Sequence, residues 1–245
     1  MKSSVIIPVR YESTRFQGKP LAKIKGKTMI QHVYERASKS READKIIVAT
    51  DDERIYKEVK NFGGEVKMTS KAHASGTDRV AEVAKDLECN FIVNLQGDEP
   101  LIDPSLIDDS LSFLKGNKEI KVCTFKKHIS DHDQIHDPNV VKVVVDGNGF
   151  AIYFSRFPIP FPKGEKEEKI SYYKHIGLYT FEREFLLEFS NLPPSPLEKA
   201  EGLEQLRILE NGYKIKVLDT EYDPISVDIP DDIKRVEEAM NLRYK

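Results

Sequence analysis

Cysteine is scarce in this chain: Cys89 and Cys123 are the only two among 245 residues. Two thiols cannot supply a disulfide framework, and their rarity fits a reducing compartment. Long apolar runs are missing as well. No stretch approaches the ~20 apolar residues that a bilayer-spanning helix needs. The first run, Val5-Ile6-Ile7-Pro8-Val9, is too short for the core of a secretory signal. An excess of one charge is also lacking: 38 Lys and Arg against 41 Asp and Glu leave a net charge of -3. No global field therefore draws the chain to nucleic acid. Internal repeats and low-complexity tracts are absent too. These absences predict a cytoplasmic globular protein. Its length suits one large domain, or a main domain with a smaller lobe.

In the first half, short β-branched runs alternate with amphipathic stretches. Strands are predicted over Val5–Val9, Lys45–Thr50, Phe91–Gln96 and Ile120–Phe125. Helices are predicted over Thr28–Ser38, Asp52–Phe62, Thr77–Leu87 and Ser105–Leu114, the first with Ile30, Val33, Tyr34 and Ala37 on one face. This alternation argues for an α/β fold with a mostly parallel sheet and helices on both faces. Ligands of such sheets sit beyond the carboxyl ends of the strands, so the loops after the strands are where chemistry should collect.

The second half reads differently. Val140–Val145 and Phe150–Phe154 flank Asp146-Gly147-Asn148-Gly149, which predicts a β-hairpin. Lys163–Lys169 reads as a solvated polar loop. Ser195-Pro196-Leu197-Glu198 has the form of a capping box, opening a helix expected to run to about Asn211 and stop at Gly212. A strand over Lys214–Leu218 and a helix over Asp231–Leu242 complete the chain.

The loop after the first strand holds Arg10, Ser13, Thr14, Arg15, Gly18 and Lys19. Fixed positive charge, hydroxyls and a close backbone approach are what a triphosphate requires, although an ordinary basic surface loop has the same composition. Gly26-Lys27-Thr28 resembles the end of a Walker A loop, but Leu21 stands where that motif needs glycine. Asp98, in Gln96-Gly97-Asp98-Glu99-Pro100, lies just past a buried strand, where a carboxylate can hold Mg²⁺ against phosphate oxygens. Asp228 precedes a helix. If Pro230 is the first helical residue, the cap position falls on Ile229, and Asp228 is free to ligate metal. His73–Arg79 could read a base edge with its hydroxyls and backbone, or could simply start a helix. His128, His132 and His136 recur every four residues, but few apolar residues accompany them and Pro138 follows. A solvated connector is the reading adopted over a metal site.

The stretch Ile6-Ile7-Pro8-Val9-Arg10-Tyr11-Glu12-Ser13-Thr14-Arg15-Phe16-Gln17-Gly18-Lys19-Pro20-Leu21 closely resembles the signature of 3-deoxy-manno-octulosonate (Kdo) cytidylyltransferases. The likeness continues at Ile47–Asp51, Ser75–Arg79, Val93–Pro100, Pro138–Val144, Tyr153–Arg156 and His175–Tyr179. It ends at Pro194–Glu198, Leu203–Arg207 and Val227-Asp228, and so runs in order along nearly the whole chain. Two departures stand out: Ile229 where threonine is expected, and Phe16-Gln17 in place of Leu-Pro, which removes a φ-fixing proline.

The resemblance implies a nucleotide-diphospho-sugar transferase-like fold, with residues of roughly 135–195 forming a dimerisation and sugar-binding lobe of a homodimer. It implies that CTP and Kdo give CMP-Kdo and pyrophosphate, for lipopolysaccharide in Gram-negative bacteria. By position, Arg10, Ser13, Thr14, Arg15 and Lys19 would hold the CTP phosphates. Thr50, Asp51, Ser75, Gly76 and Arg79 would line the nucleoside pocket. Gln96, Arg156, His175, Tyr179, Glu204 and Gln205 would surround the sugar, and Asp98 and Asp228 would bind Mg²⁺. Arg10, Lys19, Asp98 and Asp228 are the expected catalytic set.

The rival expectations are a sialic acid cytidylyltransferase, whose first loop carries a glycine-serine-lysine pattern, and an 8-amino-Kdo enzyme. A glycosyltransferase would need an Asp-x-Asp motif that Gly97-Asp98-Glu99 does not supply. A non-catalytic nucleotide-binding regulator is the alternative from a different class.

Overall fold

A computed structural model describes residues 1–13, 15–164 and 170–243 of the chain. The first strand, β1 (Ser3–Val9), is buried along its whole length, as a strand covered on both faces must be. Its side chains alternate: Val5, Ile7 and Val9 enter one core, and Ile6 enters the other. A 3₁₀ turn (Lys19–Leu21) and a small hairpin of β2 (Lys23–Ile24) and β3 (Lys27–Thr28) lead into α1 (Met29–Ala37). The βα units then continue through β4 (Lys45–Thr50), α2 (Glu53–Asn61), β5 (Glu65–Met68), α3 (Gly76–Lys85), β6 (Phe91–Asn94), α4 (Pro104–Gly116) and β7 (Val122–His128).

The second half adds α5 (Asp133–His136), β8 (Lys142–Val145), β9 (Ala151–Ser155), β10 (Tyr173–Glu182), α6 (Arg183–Ser190), α7 (Pro196–Glu201), α8 (Leu206–Glu210), β11 (Lys216–Asp219) and α9 (Asp232–Arg243). The main sheet runs β11-β7-β10-β6-β1-β4-β5, with β8 and β9 attached through β10. Strand β1 is parallel to β4 and β6, and β11 is parallel to β7, whereas β10 is antiparallel to both β6 and β7. Helices α1, α2 and α4 pack on one face, and α3, α6 and α8 on the other.

The mostly parallel sheet covered on both faces is the predicted class. Two expectations are corrected, and one strand had no expectation. The helix expected to run from Ser195 to Asn211 is two short helices, because Gly202 turns left-handed (φ 63°) and ends α7. Pro230 does not open α9, which begins at Asp232. The Asp232 carboxylate turns back to accept from the backbone N–H groups of Asp228 and Ile229 at 2.8 and 3.0 Å. The central strand β10 carries no clear strand signal in the sequence. Gly177 interrupts it, and its register shifts between Ile176 and Thr180.

The histidine segment is a connector, as read. His128 ends β7, edge-on to the Tyr173 ring, while Ile135 on the single turn of α5 is buried against Ile129 and Tyr172. The predicted hairpin is β8–β9, with Gly149 at φ 75° in its turn. The polar loop predicted from Lys163 lies, from residue 165 to 169, outside the described residues.

Candidate active site

Beyond the carboxyl ends of β1 and β6 opens a cleft of about 390 Å³. Its walls are the loop after β1 (Arg10, Ser13, Arg15, Lys19), the approach to α3 (His73, Ser75, Gly76, Arg79), the turn after β6 (Gln96, Gly97, Asp98) and Asp228. Ten of the predicted site residues thus meet in one place, although they come from four separate stretches of sequence. Thr14 lies outside the described residues.

The loop after β1 is folded back on itself. Gly18 donates to the Tyr11 carbonyl at 2.9 Å from a left-handed conformation (φ 71°), and the 3₁₀ turn starts at the next residue. Phe16 packs against the cluster of Ile24, Met29, Leu101, Val227, Val236 and Met240, tying the loop to α9. A packed aromatic thus anchors the loop that has no proline at residue 17. The fold of the loop delivers Lys19 to the centre of the cleft. The Lys19 ammonium donates to Asp98 Oδ2 and to the Val227 carbonyl, both at 2.8 Å, and lies 3.6 Å from Asp228 Oδ1. Arg15 Nη2 reaches the same Asp228 oxygen at 3.0 Å. The Val227 N–H donates to the Asp98 carbonyl at 3.0 Å, so backbone and side chains together join two aspartates 130 positions apart.

Gly97 permits this approach. A Cβ there would sit 2.2 Å from Val9 Cγ1. Next to Asp98, Glu99 is buried with Oε2 lacking a partner, and burial, then the neighbouring Asp98 charge, push its carboxyl up to about 8.

On the α3 side, the helix start read from the sequence is present as a capping box. Ser75 Oγ accepts from the Asp78 N–H and Asp78 Oδ2 accepts from the Ser75 N–H, both at 3.1 Å. Ser75 and Gly76 still line the cleft, but the Ser75 hydroxyl serves the helix start. A Cβ at Gly76 would come within 3.3 Å of Pro8 Cγ. Arg79 is buried, donating to Asp51 Oδ2 at 2.8 Å and to the Thr69 hydroxyl. Asp51 and the buried Thr50 therefore do not line the cleft themselves. Asp51 acts on it by holding Arg79 in place. His73 pairs with Glu82, and against the raising effect of burial the Ser70 N–H (3.0 Å), then His73, hold the Glu82 carboxyl below its ordinary range.

The predicted sugar residues, Gln96 apart, sit outside the cleft lining. His175 Nε2 lies 2.9 Å from Thr124 Oγ1, and burial pushes the ring down to about 3. The Tyr179 hydroxyl is buried without a hydrogen bond of good geometry, and burial, then the Glu204 charge, raise its pKa well above the usual value against a weaker lowering contact with the Thr124 hydroxyl. Burial also raises Glu204. Gln205 is buried beside it. The Arg156 guanidinium gives three of its five N–H donors to the carbonyls of Glu201 (2.7 Å), Pro138 (2.8 Å) and Gly202 (3.4 Å), which anchors it beside the turn before α8 and leaves one N–H on each terminal nitrogen uncommitted to these carbonyls. Two residues not singled out from the sequence, Thr77 and Asn94, join this region to the cleft. The available signal was a polar residue closing an otherwise apolar strand, Phe91-Ile92-Val93-Asn94.

Comparison with known proteins agrees with this geometry. A model of the family described as cytidylyltransferase matches residues 4–215. A 3-deoxy-manno-octulosonate cytidylyltransferase of Solibacter usitatus is 54% identical over 231 residues, covering 94% of this chain and 91% of the relative. The chain belongs to the 3-deoxy-manno-octulosonate cytidylyltransferase family. Its counterpart in Fusobacterium nucleatum is 53% identical, with 96% of each chain covered. Among solved structures, a CMP:2-keto-3-deoxy-manno-octonic acid synthetase complexed with CTP superposes with a TM-score of 0.94 at 41% identity, over 99% of this chain and 100% of that one. A cytidylyltransferase from Leptospira borgpetersenii, 18% identical with a TM-score of 0.66 over 99% of this chain and 87% of its own, shares the fold. Membership of the cytidylyltransferase family makes the chain a nucleotidyltransferase. Among its described residues, no helix is long and apolar enough to cross a membrane, and no group of three or more His, Cys, Asp or Glu side chains could hold a metal.

Proposed function

We propose that the enzyme transfers CMP from CTP to the anomeric C2 hydroxyl of Kdo, giving CMP-Kdo and pyrophosphate. The observation that carries this reading is the convergence of Asp98, Asp228, Lys19 and Arg15 at the carboxyl ends of the strands. Fixed cations there face a place where triphosphate charge must be held, and nucleotidyl transfer depends chiefly on such positioning and neutralisation.

The donor set suits Mg²⁺: Asp98 and Asp228 bring two hard carboxylate oxygens to one end of the cleft, both beside the Lys19 ammonium. Asp98 and Asp228 would hold the metal, which when bound would neutralise phosphate oxygens and acidify the attacking hydroxyl. Lys19 and Arg10 would offset charge building on the α-phosphate and on departing pyrophosphate. The buried Arg79, held by Asp51, would close the nucleoside end of the cleft. Gln96, His175, Tyr179, Glu204 and Gln205 would take the sugar. Arg156, through the Glu201 and Gly202 carbonyls, would shape the turn that presents Glu204 and Gln205. We also propose a homodimer through the segment at 135–195, supported by the exposure of Ile152, Phe157 and Phe161. A cytoplasmic setting is supported by the two free thiols.

Pyrophosphate release with CTP and Mg²⁺ tests the reading, with Kdo, 8-amino-Kdo and sialic acid supplied in parallel. Release with Kdo is expected. Release only with another sugar would move the substrate, and CTP binding without any release would point to a regulator.

A further inference from the structure

Three buried polar atoms on neighbouring elements beside the cleft make no hydrogen bond of good geometry, although the Thr124 hydroxyl lies near the second and the Ser75 hydroxyl near the carboxylate of the third: Asn94 Oδ1 on β6, the Tyr179 hydroxyl on β10 and Glu204 Oε1 in the turn before α8. Buried polar atoms are nearly always paired, so a cluster of unpaired ones marks a place that expects a ligand. Asn94 and Tyr179 stand directly opposite each other across the antiparallel β6–β10 pair and so share a face of the sheet.

Thr77, in the first turn of α3, links this cluster internally. Its Oγ1 donates to Glu204 Oε2, and Asn94 Nδ2 reaches the same Oγ1 at 3.2 Å. A hydroxyl carries one hydrogen. A carboxylate oxygen can only accept it, so Thr77 must in turn accept from the amide of Asn94. That fixes the order Asn94 → Thr77 → Glu204 and turns Asn94 Oδ1 away from Thr77. Glu204 Oε1 is left without a hydrogen bond, with the Arg207 guanidinium 3.8 Å away and itself paired to Glu198 at 2.5 Å.

We infer that Thr77 and Asn94 are positioning residues for the sugar: their one-way hydrogen-bond chain aims the Glu204 carboxylate at a sugar hydroxyl. This rests on the assignment of Glu204 to the acceptor sugar. It also gives α3 two duties. Ser75 and Gly76 border the cleft at its start, and the side chain of Thr77 binds Glu204.

The test is steady-state kinetics of Thr77→Val, which keeps shape and removes the hydroxyl, beside Thr77→Ser, which restores it. In Thr77→Val the KM for Kdo should rise about tenfold or more, the scale set by leaving a hydrogen-bonding group of a site unpaired. The KM for CTP should stay within about twofold, a change too small to signal a lost contact. Thr77→Ser should return the KM for Kdo to near wild type. An unchanged KM for Kdo would overturn the inference, as would equal rises for both substrates, which would mark a structural role at the helix start. Should Thr77→Val fail to fold, Asn94→Asp, which removes the donor to Thr77, is judged by the same split. Wild-type protein that uses CTP but not Kdo would overturn the substrate reading, and this inference with it.

Discussion

At the scale of single residues, the cleft depends on contacts that leave no room for change. Gly97 is the clearest case, because the missing Cβ is what lets the turn bearing Asp98 lie against Val9. Gly97→Ala should lower stability by about 1–3 kcal/mol, the usual cost of overpacking, and should reduce turnover by displacing Asp98. Gly147→Ala, where a Cβ meets nothing within 4 Å, should leave the melting temperature unchanged. Equal melting temperatures for the two variants would refute the close-approach argument. The loop cations and both aspartates were legible in the sequence, because each lies just past a strand or before a helix and because the family pattern runs through them. The work of Thr77 was not legible. Its partner Glu204 is 127 positions away, and only the fold brings the two together.

Among elements, the parallel βα units follow directly from short β-branched runs alternating with amphipathic stretches, and their boundaries fall within a few residues of expectation. The elements that escaped notice did so for physical reasons. Strand β5 is a four-residue edge strand with only Val66 well buried. Strand β10 buries polar side chains, Lys174 and Thr180, and carries Gly177, so it shows no clean apolar alternation despite its central place. The single helix expected after Ser195 fails at Gly202, whose left-handed conformation ends α7 ahead of Glu204, which reaches Thr77 on α3. A Cβ there finds space, with its nearest neighbour Arg156 Nη2 at 3.9 Å, so Gly202→Ala should cost only the conformational penalty, about 1–2 kcal/mol. A shift in denaturant midpoint with unchanged slope would agree. No shift would mean that the turn tolerates a side chain and that the α7–α8 break has another cause.

Across the whole molecule, the buried His175 links stability to pH. Its ring titrates near 6.5 in the unfolded chain but is pushed down to about 3 by burial in the fold. The unfolded state therefore takes up the proton first as pH falls. The stability contributed by neutral His175 is fully present above pH 6.5 and is lost progressively down to about 3. His175→Gln should show a shallower loss of stability in urea titrations across that window. Parallel slopes for variant and wild type would show that His175 is not the linked group.

At the centre of the cleft, Lys19 sits between Asp98 and Asp228. The most direct test is pyrophosphate release from CTP and Kdo by Asp98→Asn, which keeps the shape of the side chain and removes its charge. Turnover should fall by about 100-fold or more, in line with the loss of a group that stabilises charge in the transition state, while the circular dichroism spectrum stays that of wild type. Near-normal turnover from the folded variant would contradict the account and place the chemistry elsewhere.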